Sequence, residues 1–122
     1  MFALVVRDDQ VLVGGAFTSI GGKSRKYLAA LDPGDGSATR WDPSPDDVVH
    51  ALAVSPDGSR LFVAGDFLRI SGGRRDLAEF DLTNGLLTGW RPNAPFFALT
   101  AAVSGDGSTL YVAGEGAFFV FR

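Results

Sequence analysis

The chain repeats itself. Val11-Leu12-Val13-Gly14-Gly15-Ala16-Phe17 returns 50 residues later as Leu61-Phe62-Val63-Ala64-Gly65-Asp66-Phe67, and Ile20 and Gly22 return as Ile70 and Gly72. Leu28-Ala29-Ala30-Leu31-Asp32 matches Leu77-Ala78-Glu79-Phe80-Asp81, and Trp41-Asp42-Pro43 matches Trp90-Arg91-Pro92, both at an offset of 49. A third copy starts late, with Ala53-Val54-Ser55-Pro56-Asp57-Gly58-Ser59 becoming Ala102-Val103-Ser104-Gly105-Asp106-Gly107-Ser108. Counting back 50 residues sets Phe2-Ala3-Leu4 on Leu52-Ala53-Val54. The apolar N-terminal stretch is therefore expected to be a first strand and not a signal peptide, since it is short and lacks a basic leader and a cleavage site. A period of this size confines the chain to folds in which each unit buries its apolar face against the next.

Each unit reads as four short strands. The first (2–6, 49–54, 98–103) is built on Ala, Val and Leu and ends at a polar turn. In the second and third copies that turn is Asp-Gly-Ser, whose glycine tolerates the positive φ of a hairpin. The second strand (10–15, 60–65, 109–113) ends on glycine, the third spans 27–32, 77–81 and 117–121, and the fourth (38–41, 86–90) closes on tryptophan. An X-Pro step after the tryptophan stops the ladder, because proline has no N–H to donate. No stretch carries a capped 3.6-residue period, so almost no helix is expected.

Four antiparallel strands in a repeat of about 40–50 residues are the mark of propeller blades. The chain holds about 2¾ of them in its 122 residues, too few for a closed ring, which needs four or more. The expected fold is an all-β, partial and open β-propeller: one repeat array over 1–122, with blade 1 at about 1–45, blade 2 at about 46–95 and an incomplete blade 3 at about 96–122. Neighbouring blades of a longer chain, or self-association, would complete the ring. The third copy also differs: residues 66–76 link the second and third strands of copy two, but only Glu115, Gly116 and Ala117 do so in copy three.

Composition narrows the function classes. Sixteen glycines fit a fold of many tight turns. A net charge of −3 argues against nucleic acid, which selects a basic face. With no cysteine there is no disulfide, thiolate metal site or cysteine nucleophile. No apolar run approaches the length of a membrane span.

The string Val13-Gly14-Gly15-Ala16-Phe17-Thr18-Ser19-Ile20-Gly21-Gly22, followed by Ser24-Arg25 and Leu28-Ala29-Ala30-Leu31-Asp32, resembles the bacterial delta-60 repeat, whose pattern is VGGxFTxIGGxxRxxLAxLD. Copy two keeps the frame in Asp66-Phe67-Leu68-Arg69-Ile70-Ser71-Gly72-Gly73, and copy three lacks the loop. The resemblance implies a β-propeller in a secreted or cell-surface protein, and it brings no common chemistry with it.

Candidate sites are weighed against plainer roles. The glycine-rich loop has no following helix and no Lys-Ser pair, so it is not a phosphate cradle; Gly21-Gly22 and Gly72-Gly73 are expected to supply positive φ, with Phe17/Ile20 and Phe67/Ile70 anchoring the loop. That loop is basic in both copies, through Lys23, Arg25 and Lys26 in one and Arg74 and Arg75 in the other. Placed side by side on one face, these five form a candidate binding strip for an acidic glycan or protein; solvated surface charge is the plainer reading. Trp41 and Trp90 are expected to pack between blades, with the indole N–H on a backbone carbonyl. Asp35-Gly36-Ser37, Asp57-Gly58-Ser59 and Asp106-Gly107-Ser108 read as hairpin turns and not as calcium loops, which need several oxygen ligands. His50, the one histidine, has no nominated partner, and the carboxylate pairs Asp8-Asp9 and Asp46-Asp47 diverge on turns. The expectation is a non-enzymatic scaffold without cofactor or metal that presents loops to a protein or glycan. The alternative is a fragment of a propeller enzyme whose active site lies in other blades.

Overall fold

The alternation of large apolar residues with turn residues is realised as a row of small antiparallel sheets. The computed structural model of the chain describes residues 3–6, 10–67, 69–70, 76–90, 98–114 and 117–121. Among these residues all regular structure is strand, and no helix is long and apolar enough to cross a membrane. The first blade pairs β1 (Ala3–Val6) with β2 (Val11–Gly14). A miniature hairpin follows, β3 (Ser19–Ile20) with β4 (Lys23–Ser24), and β5 (Leu28–Leu31) then joins the free edge of β2. The second blade orders β6 (Val49–Val54), β7 (Arg60–Gly65), β8 (Leu77–Asp81) and β9 (Leu86–Leu87) side by side. The third orders β10 (Ala98–Val103), β11 (Leu110–Gly114) and β12 (Ala117–Phe121). Among the described residues the strands form separate antiparallel sheets, none of them closed, and the chain is an all-β, partial and open propeller.

Three details differ from the expectation drawn from the repeat. Leu4 faces Val13 across β1 and β2, as Leu52 faces Val63 across β6 and β7. Leu4 therefore corresponds to Leu52, 48 residues on and not 50, because two fewer residues separate the paired Val6 and Val11 than the paired Val54 and Leu61. An even slip leaves every side chain on its expected face. The fourth strands are shorter than 38–41 and 86–90: the first blade has only the bridge between Leu31 and Ala38, and the second has Leu86–Leu87. Both Trp41 and Trp90 lie beyond the ladder, where a Thr hydroxyl two residues earlier accepts from each tryptophan's backbone N–H. The same β-bulge also recurs in the first strands of two blades, between Val49 and Ala51 and between Ala98 and Thr100.

The blades stack through alternate faces. One side of blade 2 presents Leu61, Val63, Ala78 and Phe80 to Leu12, Leu28 and Ala30 of blade 1, and all seven are buried. Its other side presents Ala51, Ala64 and Leu77 to Leu110 and Val112 of blade 3. Burying each of the larger side chains contributes roughly 1.5–3 kcal/mol, which a lone two- or three-stranded sheet does not obtain. Gly14 is needed for the approach: a Cβ there would come within 2.5 Å of the Val49 side chain across the joint. Both tryptophans pack across a joint, and Trp41 makes the expected bond to a backbone carbonyl. Trp41 meets Phe80 of the next blade edge-on at 5.3 Å, and its Nε1–H donates to Gly85 O at 2.9 Å. Trp90 meets Phe121 of its next blade edge-on at 5.5 Å.

Candidate functional site

The decorated loop of blade 1 is built from its glycines. Gly21 and Gly22 have φ of 60° and 81°, the paired left-handed conformation of a two-residue hairpin turn, and they fold Ser19–Ile20 against Lys23–Ser24. Gly21 also packs where a Cβ would come within 2.5 Å of the Ala38 nitrogen, and Ala38 N–H donates to Gly21 O at 3.0 Å. The hairpin is thus tied to the far edge of its own blade. Its base is closed by Arg25 N–H on Thr18 O and Tyr27 N–H on Phe17 O.

This scaffold sorts the basic residues. Lys23 and Lys26 are exposed. Arg25 is drawn inward: its guanidinium donates to Thr39 O at 2.9 Å and Ser24 O at 2.7 Å and lies 3.7 Å from the Asp42 carboxylate, with only 13% of its side chain exposed. Arg25 therefore fastens the loop to the segment that carries Trp41. Arg74 and Arg75 lie outside the described residues, as do Gly72 and Gly73. In blade 2 the anchors Phe67 and Ile70 are fully buried, whereas their counterparts Phe17 and Ile20 are half-buried.

Two features absent from the sequence reading lie between blades 2 and 3. A groove of about 280 Å³ is lined by Phe62, Trp90 and Phe121 together with Arg60, Glu79 and Thr109. Glu79 is a buried carboxylate: Thr88 Oγ1 donates to it at 2.6 Å and Arg60 approaches at 3.4 Å. The repeat does carry a signal for it, since the matching positions across the ladder hold Ala30 and Val120. His50, at the bulge of β6, pairs its Nε2 with Asp66 Oδ2 at 2.9 Å. Asp8-Asp9 lie outside the described residues, and Asp46 accepts Arg69 N–H at 3.1 Å while Asp47 accepts Val48 N–H at 2.7 Å.

The hairpin aspartates serve their own turns. Asp57 Oδ1 accepts from the hydroxyls of Ser55 and Ser59 and from Ser59 N–H, and Asp106 Oδ1 does the same with Ser104 and Ser108. These donors stabilise the carboxylates and lower both pKa values to about 2, with the serine at the start of the turn contributing most. Gly58 and Gly107 follow with φ of 75° and 76°, the conformation the turn requires. Among the described residues no group of three or more His, Cys, Asp or Glu is placed to hold a metal ion.

A sequence model of the family described as "Domain of unknown function (DUF5122) beta-propeller" matches residues 7–38, the stretch that includes β2 and the decorated loop. No curated protein matches the chain. That match, with the stacked antiparallel sheets, supports assignment to a β-propeller repeat family.

Proposed function

We propose that the chain is part of a non-catalytic β-propeller scaffold of the delta-60 kind, in a secreted or cell-surface bacterial protein, presenting its loops to an acidic glycan or protein. The observation that supports this reading is the fastened hairpin of blade 1. Gly21 and Arg25 fix its tip and base to the blade, while Lys23 and Lys26 face solvent. The backbone that carries the two ammonium groups is ordered before it meets a polyanion, so binding does not bear the cost of ordering the loop. The test is retention of the chain on an immobilised polyuronate at low salt, with the K23E/K26E variant alongside. The proposal expects retention that falls with salt and is lost in the variant. Equal retention of both proteins, or of neither, refutes it.

A further inference from the structure

The turn that receives the Trp41 indole demands glycine at the accepting position. Gly85 has φ of 75°, and a Cβ there would come within 3.0 Å of Trp41 Cδ1, so a side chain would be strained by its backbone and crowded by the ring. The residue before it is Asn84, which is exposed and is the one of the chain's two asparagines that precedes glycine. Glycine carries no side chain to shield its nitrogen, and closure of that nitrogen onto the Asn84 side-chain carbonyl makes an unstrained ring. Blade 1 builds the same turn. Gly36 N–H donates to Asp32 O at 2.8 Å, as Gly85 N–H does to Asp81 O at 2.7 Å. Asp35 Oδ1 accepts from Ser37 N–H as Asn84 Oδ1 accepts from Leu86 N–H, both at 2.9 Å. Blade 1 thus holds a carboxylate, which resists attack by an amide nitrogen, where blade 2 holds an amide.

We infer that Asn84 is a site of spontaneous covalent modification, and that the closed joint between blades 1 and 2 withholds it from reaction. Gly85 N gives up its proton to hydroxide and attacks Asn84 Cγ. The bond from Cγ to the side-chain nitrogen breaks, and ammonia leaves with a proton taken from water, which regenerates hydroxide. The product is a cyclic succinimide. Water adds to either of its carbonyls and opens the ring, leaving aspartate at 84 or an isoaspartyl link in which the backbone runs through Cγ. Nothing is oxidised or reduced. In the docked chain Gly85 N–H is engaged with Asp81 O, and Gly85 O with the Trp41 indole. The first bond must break before the nitrogen is bared to base, and the second pins the turn in the conformation that keeps it. The reaction therefore waits for the joint to open, as amide hydrogen exchange does. An aspartate at 84 can remake the turn, since Asp35 makes it in blade 1. An isoaspartyl link lengthens the backbone between Asp81 and Gly85, so the turn no longer presents Gly85 O to Trp41. The turn keeps a permanent record of the time its joint has stood open.

The test is incubation of the 122-residue chain at mildly alkaline pH. Mass spectrometry then follows the peptide that carries residue 84, with electron-transfer fragmentation to separate isoaspartate from aspartate. Unfolded in guanidinium chloride, the chain should convert at residue 84 roughly tenfold faster or more than when folded. Trp41→Phe, folded by circular dichroism, should convert about 5–30-fold faster than the parent, the factor by which losing such a contact raises the open fraction. Phe80→Leu takes its place if it fails to fold. Asn84→Asp should keep the parent's urea midpoint, and the isoaspartyl form purified from the aged parent should unfold at lower urea. No conversion at residue 84 in the unfolded chain overturns the site. Equal rates in folded and unfolded chains, or in the parent and Trp41→Phe, overturn the protection by the joint. An isoaspartyl form with the parent's midpoint overturns the loss of the clasp.

Discussion

Replacing Trp41 measures how firmly one blade holds the next. Its indole makes three separable contributions across the joint: the Nε1–H bond to Gly85 O, the edge-on contact with Phe80, and the half-buried ring itself. A hydrogen bond of this kind contributes about 1 kcal/mol net. The edge-to-face pair adds about 1 kcal/mol beyond its area. Removing roughly 100 Å² of aromatic surface from water adds about 2 kcal/mol more. Trp41→Ala should therefore destabilise the chain by about 4 kcal/mol, whereas Trp41→Phe, which keeps a ring but loses the N–H, should cost about 1–2 kcal/mol. Equilibrium urea unfolding followed by far-ultraviolet circular dichroism gives both values. A cycle with Phe80→Leu should recover about 1 kcal/mol of coupling between the two rings. Equal losses for Trp41→Ala and Trp41→Phe, or a loss below about 0.5 kcal/mol for Trp41→Ala, would show that the joint is held without the clasp.

Matched positions in two blades give a second comparison. Phe67 is fully buried and Phe17 half-buried, so Phe67→Ala should cost about 3–5 kcal/mol and Phe17→Ala clearly less in the same urea titration; equal costs would mean that blade packing does not set the difference. The hairpin aspartates give a pH dependence. The pKa values of Asp57 and Asp106 are lowered on folding to about 2 from 3.8. Their stabilising contribution is therefore fully present above about pH 4 and is lost as pH falls through 2. The D57N/D106N variant, which keeps an accepting oxygen, should show a smaller fall in urea midpoint between pH 4 and pH 2 than the parent chain; identical falls would remove these turns as the source.

The blade order, the strand faces and the tryptophan clasp were legible because they follow from side chains that recur at fixed offsets. Val63 and Val112 are buried as their position in the repeat implies. The details that escaped depend on backbone and length. The shorter connection before Val11 escapes notice because both offsets align apolar residues. The turn into the third strand uses a left-handed residue in two blades, Tyr27 at φ 66° and Asp76 at φ 64°. A glycine would have marked that conformation in the sequence, and tyrosine does not. Arg25 read as surface charge because nothing local to it shows the Thr39 carbonyl and Asp42 carboxylate that fold back onto it. The inward-facing Glu79 was visible as a charge in an apolar column, but its hydroxyl partner Thr88 lies on the next strand's flank.

The clasp also has a direction, and translation runs the same way. Gly85, which accepts the Trp41 indole, lies 44 residues later in the chain. At roughly 5–20 residues per second, the tryptophan of an emerging blade stays bare for roughly 2–9 s before its acceptor emerges in turn. Blades 1 and 2 are thus synthesised with an edge that the following blade closes. A ribosome that stalls after Trp41 has emerged and before Gly85 has done so holds out an uncovered indole, and that gives a folding chaperone a defined interval in which to act.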